Sequence, residues 1–486
     1  MQLYKKSIIL LVALVALMLP NACQKDKLDQ EPKNLFGEGA IFDTPDRFLS
    51  LAYGLYDAMK SGNFYGGRFI VYGDIRAEEF LNETGNGVTG LQTWNHTLVE
   101  SSNEVNNLWN AIYYCINSCN IYIAGVEANK AVLNNDVLAS NYIAEARFIR
   151  AVCYHSLLQL YARPYADGNG SKPGVPLRLR PETSAGNNDL ARSTVAQVSD
   201  QVLADLDFAA ANLPDKYATG LLNVTRAHKN SAIAFKTRVL MGLGRYADVI
   251  TEANKIVPAA APFKAATGVA HELQANVKNV FTTPYTTTES IFSMPFTSND
   301  LPGTQNGLGS YYNPGPRGIG DFSLNKAGII GDSVNFKVAD ARRQFTLVVG
   351  AKVYLNKFPA GAEHTDYAPV IRYAEVMLNT AEAIARTAGV DQRAIDLLNA
   401  VHGRSEPTKV YVAADFADGA ALAAAILRER RIEMLGEGFR SFDSMRLLVP
   451  IPGKANVATI NTDNPDYIWP IPTGELLANK LCEPNP

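Results

Sequence analysis

Residues 244–257 read GRYADVITEANKIV, and residues 389–401 read GVDQRAIDLLNAV. In each, a glycine stands five positions before a small or β-branched residue, Val249 in the first and Ala394 in the second. Each glycine also follows a stretch with helical apolar spacing, 225–243 and 370–388. A glycine at the end of a helix can turn the chain back with positive φ. Small side chains just beyond it let the second helix close on the first. The two stretches therefore predict two helical hairpins, with second helices at 245–257 and 391–402. The same 3.6-residue period extends outward from them. In 101–127 it aligns Val105, Leu108, Trp109, Ile112, Ile116, Ile121 and Ile123, and it continues through 141–161. Further helices are expected at 43–61, 195–212 and 419–435. Strand-like alternation is confined to short pieces such as 289–296.

Such hairpins look like tetratricopeptide units, which stack into scaffolds that bind far more often than they catalyse. Between the two hairpins lies a long segment, 258–367, rich in Gly, Pro, Asn and Thr, with runs such as NDLPGTQNGLGSYYNPGPRGIGDF. Its aromatics, among them Tyr285, Phe292, Phe296, Tyr311, Tyr312 and Phe322, argue for an ordered, irregular unit. The expected fold class is mainly α: a tetratricopeptide-like helical-hairpin scaffold with an irregular, loop-rich subdomain packed on it. The expected organisation is a signal segment 1–22, an N-terminal helical region 23–257, a ligand-binding subdomain 258–366 and a C-terminal helical region 367–486.

Composition narrows the function classes. The chain has 486 residues, 47% hydrophobic and 19% charged, which is the globular range. Lys+Arg 45 against Asp+Glu 48 gives a net charge of −3, and no basic patch marks a nucleic-acid binder. Five cysteines cannot staple a chain of this length. At the N-terminus, Lys5 and Lys6 precede twelve unbroken apolar residues, 8–19, too few to span a bilayer. The run ends in Leu19-Pro20-Asn21-Ala22-Cys23, similar to a bacterial lipoprotein cleavage box in which Cys23 is acylated. Loss of 1–22 removes two lysines and no acids, leaving a net charge of −5.

Catalytic and metal motifs are missing. There is no Gly-x-Ser-x-Gly elbow, phosphate-loop lysine, His-Glu-x-x-His or EF-hand spacing. The six histidines are scattered, and Cys115 and Cys119, four apart on a helix, find no further ligands to complete a metal site. They are expected to be buried and inert. Adjacent Glu78 and Glu79 point apart and make a poor catalytic pair. No metal and no cofactor is expected.

Four stretches identify a family. LDQEP follows the cysteine; AEARFIRAVCYHSLLQLYARPY occupies 144–165; LRERRIEMLGEGFRSFDSMR occupies 427–446; IWPIPTGELLANKLCEPNP ends the chain. The set resembles the SusD/RagB family of Bacteroidetes outer-membrane lipoproteins, over essentially the whole mature chain. The resemblance implies a non-catalytic surface receptor that captures a nutrient, typically a glycan, and works with a SusC-like TonB-dependent transporter. A surface glycoside hydrolase or peptidase, or a protein-only helical-repeat module, are the competing classes. Read physically, the arginines and glutamates of 428–433 are expected to pair on helix faces, Gly436 and Gly438 to end that helix, and 440–443 to form a turn. Trp469-Pro470-Ile471-Pro472 should seal the core.

Sugars are held by rings stacked on their C–H faces while amides and guanidinium groups take the hydroxyls. Trp94, after the Gly-rich turn at 85–90, with Asn95 beside it and Arg76 upstream, is the expected ligand site. The resemblance implies the same trio, since family glycan receptors place such residues in this region. Tyr311 and Tyr312 are expected to supply its second side. Trp109 lies on a helical stripe and is assigned to the core.

Overall fold

The computed structural model describes residues 41–184 and 186–485. Cys23, the LDQEP stretch and the signal segment lie outside them. The N-terminal half runs α1 (Pro45–Met59), α2 (Arg68–Ile75), β1 (Phe80–Asn82), the short α3 (Leu91–Asn95), α4 (Asn103–Leu133) and α5 (Asp136–Tyr161). Then follow β2 (Pro173–Pro176), β3 (Arg192–Thr194), α6 (Val195–Asn212), α7 (Gly220–Thr225), α8 (Lys229–Gly242) and α9 (Tyr246–Ala253). The irregular segment carries β4 (Ser290–Met294), α10 (Leu308–Tyr312), β5 (Phe322–Leu324), β6 (Thr346–Val349) and β7 (Lys352–Leu355). The chain closes with β8 (Ala368–Arg372), α11 (Tyr373–Ala388), α12 (Gln392–Gly403), α13 (Gly419–Glu433), α14 (Arg440–Arg446) and α15 (Thr473–Ala478).

Local chemistry explains the helix ends. Thr194 and Gln197 form a reciprocal capping box at α6, and Asp391 and Asp418 cap α12 and α13 with their carboxylates. Gly244 and Gly389 both have positive φ, +67° and +80°, and a Cβ at either would meet nothing within 4 Å. What selects glycine there is backbone handedness rather than space. The fold is mainly α, as the hairpin reading predicts.

Helices α4, α5, α6, α8, α9 and α11 pack one against the next. The second hairpin, α11–α12, thus sits directly on the first although more than a hundred residues separate them in sequence. Those intervening residues leave the helical stack after α9 and return through β8, which pairs antiparallel with β4. The other sheets are also small and antiparallel: β2 with β3, and a four-stranded sheet in the order β1-β5-β7-β6. Its β1 comes from the N-terminal half, so the irregular segment is stitched to both halves of the scaffold.

A buried charge network makes a second joint. Arg372 donates to Glu289 (2.6 Å), Glu433 (3.1 Å) and Glu437 (2.7 Å). Arg342 reaches Asp340 (2.7 Å), Glu433 (3.2 Å) and Glu429, while Arg404 grips Glu289 and Glu433. Lys357 donates to Glu437 at 2.5 Å. The arginines beside them hold the Glu433, Glu429 and Glu437 carboxyls below the usual range in spite of their burial. The C-terminal strap behaves as expected: Trp469 is 1% exposed and its backbone N–H donates to the Leu160 carbonyl at 2.7 Å. Its ring lies 5.6 Å from Tyr161, which in turn lies 5.0 Å from Trp109, a core residue as expected.

Candidate functional site

The five residues expected to form the ligand site lie close in the fold but do not form a surface. Trp94 sits on α3 rather than in a loop, is 7% exposed, and donates from Nε1 to the Phe80 carbonyl at 2.8 Å. Lys454, from the far end of the chain, lies 5.4 Å over its ring. Tyr311 and Tyr312 form part of α10 and are buried; Tyr312 packs on Phe80 and donates to Asp74 at 3.2 Å. Burial pushes both phenols up. Arg76 is buried and donates to Met445 Sδ and to the carbonyls of Asp466 and Tyr467. Asn95 is half-buried beside them. Stacking a sugar on any of these rings would require unpacking the core. Glycine-rich flanks mark the bends that admit these short helices to the interior.

The motif at 427–446 also departs from expectation. Most of its charges pair across the fold, and only Arg446 with Asp443 pairs along one helix, α14. Arg431 and Arg440 hold Glu78, Arg430 holds Asp443, and Arg446 bridges Asp443 and Glu382. Residues 440–443 open α14 rather than forming a turn, while Gly436 and Gly438, both at positive φ, do follow the end of α13. Glu78 and Glu79 are consumed as ion-pair partners.

An open groove of about 530 Å³ lies where the C-terminal end of α1, one face of α4 and the loop after β4 meet. On α4, Asn107, Asn110 and Tyr114 follow one another at three and four residues, so they share one face. Tyr114 is 69% exposed, the most exposed aromatic on this wall. Among the described residues, the side-chain amides of Asn107, Asn110 and Asn63 have no hydrogen-bond partner, and all three line the groove. On the opposite wall Lys60 lies 5.7 Å over the Phe296 ring and forms ion pairs with Asp300 and, at 3.8 Å, with Asp57.

The loop wall is held by close backbone approach. A Cβ at Gly62 would stand 2.2 Å from the Pro302 carbonyl, so only glycine lets the loop settle there. Asn306 secures the other end, donating to Pro302 O (3.0 Å) and accepting from Arg68 Nε (2.8 Å). The result is a fixed concavity with an exposed ring, free amides, carboxylates and an ammonium group. Such a set can offer a ring face and hydrogen-bonding groups to a polyhydroxylated ligand. The sequence reading passed over these residues. Their signal was present in NNLWNAIYY, where Asn107, Asn110 and Tyr114 fall on the polar stripe opposite Leu108, Trp109 and Ile112. Among the described residues no group of three or more His, Cys, Asp or Glu side chains is placed to hold a metal ion.

Comparison with known proteins places this architecture. Residues 27–241 match a family model described as starch-binding associating with outer membrane, and residues 340–486 match the SusD family. The crystal structure of a SusD superfamily protein from Bacteroides fragilis is 30% identical, with TM-score 0.81, covering 91% of this chain and all of that one. The chain belongs to the SusD family. A SusD superfamily protein from Bacteroides thetaiotaomicron shares the fold at 23% identity and TM-score 0.81, over 91% of this chain and all of its own. The SusD-like protein P2 of Formosa agariphila is 23% identical over 94% of this chain and 95% of its own. At the level of the SusD family the shared property is carbohydrate binding in association with the outer membrane, and its members are binding proteins. No helix among the described residues is long and apolar enough to cross a membrane.

Proposed function

We propose that this SusD-family chain is a lipid-anchored, cell-surface receptor that binds oligosaccharide in the Tyr114 groove and delivers it to a SusC-like TonB-dependent transporter. The carrying observation is the juxtaposition of an exposed tyrosine with three unpartnered amides on a preformed concavity. A ring face takes the apolar side of a pyranose, and free amides take its hydroxyls without first breaking protein hydrogen bonds. Cys23 is the acylation site that holds the body to the outer membrane. The role is capture, with no bond cleavage.

Calorimetry of the mature chain against defined oligosaccharides, run beside an assay for new reducing ends, tests the reading. Binding without release of ends supports it. Turnover that disappears on substitution of Asp57 or Asp300 replaces it with a glycosidase. Cys23→Ala is expected to leave the outer-membrane fraction, and wild-type recovery there sinks the anchor. Co-purification of the transporter with the tagged full-length chain tests delivery.

A further inference from the structure

Most deeply buried cations in this protein hold a carboxylate. Arg150, Arg226, Arg238, Arg342, Arg372, Arg430 and Lys357 each do so. Arg76 and Lys454, 2% and 4% exposed, do not. Burial together with the adjacent Arg76 pushes the Lys454 amine well below the ordinary lysine range, so Arg76 is the charge that lacks a partner. Arg76 uses three of its five N–H groups, on one thioether and two carbonyls. Nε and one hydrogen of Nη1 have no acceptor. Lys454 donates to the Arg76 carbonyl (2.9 Å) and contacts His96 Nε2 (3.2 Å). Glu78, the nearby acid that acts on Lys454, is already paired with Arg431 and Arg440.

Beside this cluster is a small cavity of about 20 Å³, lined by Arg76, Thr93, His96 and Trp469. That is room for one water-sized sphere. Trp469 is 1% exposed, and its indole N–H has no acceptor. An unpaired buried charge and an orphaned buried donor each cost free energy, and one anion would satisfy both. Burial lowers Arg76 only to about 10, so it remains charged at neutral pH. His96, pushed down to about 3 by burial and then by Lys454, is neutral. The competing counter-charge is the Asp466 carboxylate, which lines the exposed side and forms no ion pair with Arg76.

We infer that the cavity between Arg76, His96 and Trp469 is a site for one small monovalent anion of chloride or bromide size. The anion would join the ends of α2 and α3 to the Lys454 loop and the C-terminal strap. It lies apart from the Tyr114 groove and does not depend on the function proposed for that groove.

The test uses the mature chain at constant ionic strength, with sodium gluconate exchanged for sodium bromide. A saturable rise in Tm of about 2 °C is expected. Crystals grown in bromide should show an anomalous peak within hydrogen-bond reach of the Arg76 guanidinium. Trp469→Phe keeps the ring and removes only the N–H, and should weaken bromide binding roughly tenfold. Asp466→Asn, on an exposed side chain, separates the two counter-charges. Under this proposal it leaves halide binding intact or tighter. Equal Tm in gluconate and bromide, or density for water without an anomalous peak, overturns the site.

Discussion

The Tyr114 groove and the Trp94–Tyr311–Tyr312 cluster contain the same kinds of residue: large rings, amides, a cationic side chain and aspartates. In the cluster, Trp94 gives its N–H to Phe80, Tyr312 gives its hydroxyl to Asp74, and Arg76 is held by carbonyls. In the groove, Asn63, Asn107 and Asn110 keep their hydrogen-bonding capacity and Tyr114 keeps its face. Residue type alone does not distinguish a binding surface from a polar core. Unspent hydrogen-bonding capacity in an exposed concavity does.

The contrast breaks most sharply at Tyr312. Truncating a fully buried aromatic costs about 3–5 kcal/mol, so Tyr312→Ala should lower stability by that much. Molecules that remain folded should bind oligosaccharide as the wild type does. Weakened affinity with unchanged melting would return the ligand site to this cluster.

Asp366 gives the next largest effect. Its carboxylate abuts Gly309 of α10, accepts from Ala360 N (3.0 Å) and Tyr285 (3.3 Å), and leaves Oδ2 without a partner. Burial pushes its pKa up to about 7. The folded state therefore binds this proton more tightly than the unfolded chain. Its stabilisation is complete below about pH 4 and is lost as pH rises toward 7. Asp366→Asn should be more stable than the wild type at pH 8, by up to about 4 kcal/mol, with the gain vanishing near pH 4. Denaturant titrations at the two pH values decide it, and a gain independent of pH would refute the account.

Effects in the groove are smaller and appear in binding alone. Tyr114→Ala should weaken oligosaccharide binding roughly tenfold, since about 1.4 kcal/mol is a factor of ten. Its Tm should stay within about 1 °C, because an exposed side chain has few contacts to lose. Asn110→Ala should cost about threefold to tenfold, the range of one neutral hydrogen bond. Calorimetry and melting on the same samples check both. A Tyr114→Ala protein that melts early yet binds normally would make the ring structural.

The helical frame was legible because its signals are local. Period, caps and the glycines at 244 and 389 act within a few residues, and 195–212 is helical as read. The partners of Arg76 and Arg431, and the lysine over the Trp94 ring, come from hundreds of residues away, and no local pattern shows which charges will be buried together. Lys60 and Asp300 likewise meet only through the fold. The outer stripe of α4 is local and therefore readable as a polar helix face, but nothing local shows that α1 and the loop after β4 close a groove over it.

The joint formed by Arg342, Arg372, Arg404 and Lys357 with Glu289, Glu429, Glu433 and Glu437 has a thermal consequence. Hydration of charged groups becomes less favourable on heating, so the penalty for having buried these ions shrinks as temperature rises, while apolar stabilisation levels off. The seam between the irregular segment and α13 should therefore soften later than the aliphatic contacts among α4, α5 and α6. Amide exchange followed from 25 °C upward would show it as protection around Arg372 and Glu433 that outlasts the helices at the other end.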